Sequence, residues 1–360
     1  MSEEVRLFVG TYTRGNDFSQ GIYTCTFNDA SGKLSDPVLA ASADNPSFLA
    51  IHPNGQWLYA CNETGDFQGT ASGAVSAYRI GSGDGGLTLL NQQATGGGAP
   101  CHCNIDATGK FLLVANYSGG NVSVFPIDDD GRLKEHSCLL NHTGSGPNKT
   151  RQEAPHAHSV NLSSDNRYAY VADLGIDRIM IYRFDAEAGR LVPSAADSAL
   201  LPPGAGPRHF CIHPSQKFAY TNHELTSEVT AFERNRTTGA LTAIQTVSTL
   251  PEGDQARRST AECLVDPSGR YLYVSNRGHD SIAAYSIDQN SGRLTLVEIR
   301  KTGGEEPRNF VISANGRWLI AENQNSNTVC VFAVNRDTGA LVPTEHRIQV
   351  GRPVCIRFMP

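Results

Sequence analysis

The chain has 360 residues, with 30 Lys and Arg against 36 Asp and Glu, a formal net charge of −6 and 39% hydrophobic residues. That balance supplies no basic field for nucleic acid, and no run approaches the roughly 18 apolar residues that cross a membrane. Nine cysteines without a C-x-x-C pair fit reduced, mostly buried thiols better than a disulfide framework, and MSEEVRLFVG lacks the charged-then-apolar pattern of a secretory leader, so the expected location is cytoplasmic.

Taken in order, the chain opens with three short apolar runs, LFVGTYT, IYTCTF and LSDPVLA. The next stretch, PSFLAIHPNGQWLYACNE from residue 46, returns as PCHCNIDATGKFLLVANY at 100, AHSVNLSSDNRYAYVADL at 157, PRHFCIHPSQKFAYTNHE at 207, TAECLVDPSGRYLYVSNR at 260 and PRNFVISANGRWLIAENQ at 307. A truncated copy, PVCIRF, begins at 353. A second marker, G-x-L, starts at Gly32, Gly85, Gly131, Gly189, Gly239, Gly292 and Gly339, so both markers count seven. Recurrence at a fixed period of about 50 residues identifies architecture before residue chemistry does.

Each unit reads as four strands: an alternating run, a turn such as HPNG or DPSG, an aromatic-rich run, a third run such as SIAAYSI, and a fourth after G-x-L. No sustained helical period is present. Such a unit cannot bury both faces alone, and a ring of stacked units is a propeller. The expected fold is all-β: one domain, residues 1–360, forming a seven-bladed β-propeller of four antiparallel strands per blade. PVCIRF would supply the innermost strand of the blade that the N-terminal runs complete.

In a propeller the first strand of each blade lines the central channel, and the second returns to the face where the first began. The start of strand one and the loop after strand two therefore share a face. In register, the first slot holds Ser47, Cys101, His158, Arg208, Ala261, Arg308 and Val354; the next holds Phe48, His102, Ser159, His209, Glu262, Asn309 and Cys355. The loop positions include Glu63, Tyr117, His223, Glu224, Arg277, Glu322 and the asparagines 62, 116, 222, 276 and 323. All are expected around one channel mouth.

An arginine at a strand start is ordinarily a solvated rim residue or half of a blade-to-blade ion pair. Convergence of Arg208, Arg308, His158, His209, Glu224 and Arg277 from distant blades points instead to a ligand pocket. His102 and Glu262 fit a ligand contact or a structural partner equally well. Cys101 and Cys103, which flank His102, read as small core residues, and no metal is assigned. His52 and His213 read as turn residues on the opposite face.

Paired arginines hold carboxylate or phosphate in two-point geometry, which favours an anionic substrate. A histidine among them can carry a proton near neutrality, and a carboxylate such as Glu224 can orient it or serve as base. No G-x-S-x-G elbow is visible, and the arginines would oppose a cation, so metal-free acid/base chemistry is expected.

The phrases PHAHSVNLSSDNRYAYVADLG, GPRHFCIHPSQKFAYTNHELTSEV, AECLVDPSGRYLYVSNRGHDSI and EPRNFVISANGRWLIAENQNSN resemble the seven-bladed lactonase family. That family contains the propeller-type 6-phosphogluconolactonases and the fungal 3-carboxy-cis,cis-muconate lactonizing enzymes, and the resemblance runs from the N-terminal strand to PVCIRF. It implies a catalytic histidine at His158, with His156 the lesser alternative, and catalytic partners at Arg208, Glu224 and Arg277. The family's NEL-like loop is interrupted here as Asn222-His223-Glu224-Leu225. Arg308, His209, Glu262, His102, Asn309 and His156 are the expected substrate contacts. The implied reaction is cofactor-free hydrolysis of a small anionic lactone, foremost 6-phospho-D-glucono-1,5-lactone to 6-phosphogluconate, with either His158 or Glu224 as base. A muconate cycloisomerase is the alternative within the family. A non-catalytic scaffold, which would present large apolar patches beside the mouth, is the alternative of another class.

Overall fold

In the computed structural model, which describes residues 4–15, 18–83 and 85–360, the recurrent segment folds as an antiparallel hairpin in every unit. In one blade Pro207–Ile212 pairs with Phe218–His223, and Glu228–Arg234 and Leu241–Ser248 complete a four-stranded sheet. Six sheets are built from consecutive segments, and the seventh joins both ends of the chain. There Pro353–Phe358 pairs with Glu4–Thr11, setting Leu7 opposite Phe358 and Gly10 opposite Cys355. The protein is a seven-bladed β-propeller closed by its own termini, as expected. The outer run LSDPVLA differs in detail: it splits into Lys33–Leu34 and Val38–Ser42, both paired with Gly21–Asn28. Pro37, which has no N–H to give the ladder, falls in the break.

The two markers recur together because they are halves of one joint. A Cβ on Gly131 would lie 2.6 Å from the ring of Trp57 in the preceding blade, and one on Gly339 would lie 2.3 Å from Tyr271. Only glycine lets the outer turn lie flat on the aromatic that opens the neighbouring second strand. Two residues further along those strands, Tyr59, Tyr170, Tyr220 and Tyr273 donate their hydroxyls to the carbonyls of Gly131, Gly239, Gly292 and Gly339 at 2.9–3.1 Å. Each tyrosine thus buries its ring between blades while its hydroxyl keeps a partner. On the face opposite the mouth, His52 and His213 bridge through Nε2 to the carbonyls of Gly109 and Gly269 in the next blade, at 2.9 and 2.7 Å.

Large exposed apolar side chains such as Val38, Leu89, Val192, Leu200, Leu296 and Val342 lie on outer strands, away from the channel. Among the described residues no helix is long and apolar enough to cross a membrane.

Candidate active site

Most inner strands begin with a β-bulge. Pro207 pairs with His223, and pairing resumes only at Phe210 with Thr221, so Arg208 and His209 stand outside the ladder. The same irregularity falls on His158, between Ala157 and Ser159, and on Arg308, between Pro307 and Asn309. A regular strand turns consecutive side chains to opposite faces, whereas the bulge re-aims one of them, so that Arg208 and His209 both line the channel. Asn222 compensates for the broken ladder: its Oδ1 accepts from the His209 N–H at 3.0 Å, and its Nδ2 donates to Thr260 Oγ1 at 2.9 Å and the Ala261 carbonyl at 3.1 Å.

This corrects the expectation that the loop asparagines surround the mouth. Asn62, Asn116, Asn276 and Asn323 bond Ser76, Asn121, Ser281 and Thr328 within their own blades. They hold the ends of second strands, where backbone groups would otherwise be orphaned. His223 is also withdrawn, fully buried, with Nε2 2.9 Å from Thr230 Oγ1.

Glu224 is the centre of the mouth. Its Oε2 accepts from Arg208 Nε at 3.0 Å and Arg277 Nη2 at 3.1 Å, and its Oε1 accepts from Arg151 Nη2 at 2.5 Å. His158 Nε2 lies 3.9 Å from Oε2. The expected catalytic set, His158, Arg208, Glu224 and Arg277, is therefore one cluster. Arg308 stands beside it, donating to the Tyr12 hydroxyl at 2.7 Å, and that hydroxyl reaches both oxygens of Glu63 at 2.8 and 2.9 Å. Above these groups is a cavity of about 250 Å³, also lined by Cys101, Tyr117, Arg257 and Ser259.

Burial alone would raise the Glu224 carboxyl, but the fields of Arg277, Arg208 and Arg151 outweigh it and hold the group at about 2. Burial lowers the Arg277 guanidinium to about 10, against the pull of Glu224, and it remains charged at neutral pH. Burial, reinforced by Arg208, His209 and Arg308, holds His158 well below the usual imidazole range, so it is neutral. Its Nδ1 is 3.6 Å from Cys101 Sγ, and the thiol hydrogen has the His158 carbonyl 3.4 Å away as acceptor. Either ring nitrogen can carry the hydrogen of the neutral imidazole: Nδ1–H would face the Cys101 sulfur, and Nε2–H would face Glu224 Oε2. Arg151, Arg277 and Arg308 line the cavity with two carboxylates, Glu63 and Glu224, and Arg208 meets Glu224 from the constriction below, so that together they carry an excess of two positive charges; Arg257 is matched by Glu306.

The remaining expected contacts sit elsewhere. His102, His209 and Glu262 line a second cavity of about 450 Å³ that enters the channel from the opposite face, with Phe48 and Arg357. Asn309 lies at the constriction between the two cavities, with Arg208 and Arg308. His156 is at the rim, its ring stacked on Tyr117 at 4.4 Å and its Nδ1 3.0 Å from the Tyr117 carbonyl. The cause is height along the channel: the first slot opens to the mouth, and the second lies one residue deeper.

Sequence reasoning missed Arg151, Arg257 and Tyr12. The first two come from residues 142–156 and 249–259, the longest connections between one blade's fourth strand and the next blade's first. That excess length was the available signal, because an insertion at a mouth can fold over it. Residues 142–156 are pinned by Gln152, which donates to the Leu174 carbonyl at 2.9 Å and Asp177 Oδ1 at 2.7 Å.

Comparison with known proteins agrees with this fold. The family described as "Lactonase, 7-bladed beta-propeller" matches residues 6–358. A 6-phosphogluconolactonase of Bacillus subtilis is 42% identical over 304 residues, 84% of each chain. One of Formosa agariphila is 37% identical over 309 residues, 85% of this chain and 86% of that one. The solved structure of a periplasmic gluconolactonase of Pseudomonas aeruginosa superposes with a TM-score of 0.92 at 34% identity, covering 99% of each chain. With its closed ring of seven blades, the chain belongs to the seven-bladed β-propeller lactonase family.

Proposed function

We propose that the protein hydrolyses a sugar-acid lactone, 6-phospho-D-glucono-1,5-lactone to 6-phosphogluconate being the reaction that best fits the positive excess at the mouth. The observation that carries this reading is a buried imidazole 3.9 Å from a carboxylate clamped by three guanidiniums. His158 Nε2 takes a proton from water as the water oxygen adds to the lactone carbonyl. Glu224, with its carboxyl near 2, is too weak a base for that step at neutral pH and serves to hold Arg208 and Arg277. Arg208 and Arg277 stabilise the oxyanion that forms. When the intermediate collapses, the ring oxygen leaves, takes the proton from the His158 imidazolium and becomes the hydroxyl of the hydroxy acid.

Arg308, which donates to the Tyr12 hydroxyl, and Arg151, which reaches Glu224 through Nη2, are the cations best placed for a phosphate. Four guanidiniums against two carboxylates also disfavour a cation in the cavity, so the reaction is proposed to be metal-free. The names of the relatives favour hydrolysis over cycloisomerisation, and of the large exposed apolar residues all but Phe18 are on outer strands, which lends little support to a scaffold at the mouth. A single folding unit, residues 1–360, and a cytoplasmic location belong to the same proposal. Residues 1–3, where the expectation about the leader begins, lie outside the described residues.

The test is purified protein, with chelator present, given the phosphorylated lactone, gluconolactone and 3-carboxymuconate, with ring opening followed by acid release above the spontaneous rate. Chelator-resistant turnover of the phosphorylated lactone is expected. No turnover of either lactone would overturn the function, and loss of turnover with chelator would overturn the metal-free step.

A further inference from the structure

The expected substrate contacts that do not reach the mouth form a chain of hydrogen bonds ending on a residue that does. Arg208 Nη1 donates to the Ala261 carbonyl at 2.7 Å and lies 3.1 Å from His209 Nε2. A guanidinium nitrogen can only donate, so His209 Nε2 must offer its lone pair, and the ring hydrogen must sit on Nδ1. Nδ1 is 2.7 Å from Glu262 Oε1, a carboxylate that can only accept. Glu262 is fixed in turn: Oε1 also accepts from the Cys263 N–H at 2.9 Å, and Oε2 accepts from Asn309 Nδ2. The Asn309 amide is oriented from its other side, where Oδ1 accepts from Arg357 Nη1 at 3.2 Å and from the Ile356 N–H at 3.3 Å. Arg357 lies over the Phe48 ring, 4.5 Å from its centroid. Each of these bonds joins a donor to an acceptor, and reversing any one of them would set two donors or two acceptors face to face.

We propose that His209 and Glu262, with Asn309 and Arg357 behind them, are positioning residues that hold Arg208 for the reaction and do not bind substrate. The geometry divides the guanidinium by task. Nε is taken by Glu224 and both hydrogens of Nη1 are taken from below, so among the described residues Nη2 is the nitrogen left to meet a developing oxyanion. Three of the four lone-pair sites of Glu262 are taken, by His209 and Cys263 on Oε1 and by Asn309 on Oε2, so the carboxylate is held mainly by the protein. Arg208 comes from a bulge outside the sheet ladder, so its backbone is less constrained than an ordinary strand residue, and the side chain needs support from a second direction. A displacement on the order of 1 Å at such a group can cost about 100-fold in rate.

This inference rests on the lactonase reading only for its kinetic arm. In that arm, His209→Leu removes the acceptor and should lower kcat by about 10- to 100-fold with KM little changed. His209→Gln, whose amide oxygen reaches the place of Nε2, should recover most of the loss. In an Arg208→Met background, His209→Leu should cost nothing further, because the group it positions is gone. Equal losses in both backgrounds, or no rescue by Gln, would overturn the proposal. The arm independent of activity is ¹⁵N NMR of histidine-labelled protein, with the His209 signals assigned by their loss in His209→Gln. A neutral ring protonated on Nδ1 is expected. A ring protonated on Nε2 overturns the chain whether or not the protein turns over a lactone, whereas inactivity of wild-type protein beside the expected tautomer counts against the function alone.

Discussion

Glu224→Gln preserves the shape of the side chain and removes the charge that holds the mouth together. In the folded protein the carboxyl stands at about 2 against an ordinary 4.5, roughly 2.5 pH units, and at about 1.4 kcal/mol per unit this is about 3 kcal/mol of net interaction. Glu224 is 5% exposed, so little of this is lost to solvent screening. Removing one partner of a buried ion pair costs about 3–5 kcal/mol by general experience, in agreement. With an unfolding entropy of about 2.1 cal/mol/K per residue over 360 residues, a 3 kcal/mol loss lowers the melting temperature by about 4 °C. The pH dependence has a definite sign. A carboxyl whose pKa is depressed by folding contributes in full above its unfolded value, near 4.5, and loses that contribution as pH falls toward 2. Urea denaturation of both proteins should show the full gap at pH 7 and less than half of it at pH 3. Inorganic phosphate should stabilise the variant more than the wild type, because Arg208 and Arg277 then lack their anion. A variant as stable as wild type at pH 7, or a gap that does not narrow in acid, would refute the clamp.

His158→Gln should lower kcat by roughly 100-fold or more. In the wild type the acid limb of the rate should fall below pH 6.5, because burial and the nearby arginines lower that imidazole; a limb centred above 6.5 would contradict this environment. Arg277→Met should lower kcat on phosphorylated and unphosphorylated lactones alike, whereas Arg308→Met should raise KM for the phosphorylated one, about tenfold for each 1.4 kcal/mol lost; equal damage to both substrates by Arg308→Met would end its assignment to the phosphate. Tyr12→Phe, which removes the hydroxyl bridging Arg308 and Glu63, should shift KM in the same direction by a smaller factor, and steady-state kinetics on the two lactones would detect it. Deleting residues 353–360 should sharply lower the melting temperature, since Pro353–Phe358 is the innermost strand of the closing blade; an unchanged value would contradict closure.

The architecture was legible in the chain because its forces are local and repeated. Seven copies of one hairpin and seven G-x-L turns require the same blade seven times, and a split first copy requires closure. The cluster at the mouth was legible for a related reason: the period assigns His158, Arg208 and Arg308 to one slot and Glu224 and Arg277 to one loop position, so register stands in for distance. Period cannot give height or direction within the channel. A bulge at Arg208 and His209 broke the alternation that a plain strand obeys, placing one residue at the mouth and the other a layer below, and it turned Asn222 into backbone support. Arg151 and Arg257 lie outside the repeat altogether, in connections whose path depends on long-range anchors such as Gln152 on Asp177. Which carboxylate is clamped and which imidazole is neutral depended on burial and on charges brought from other blades, and those fields exist only once the ring has closed.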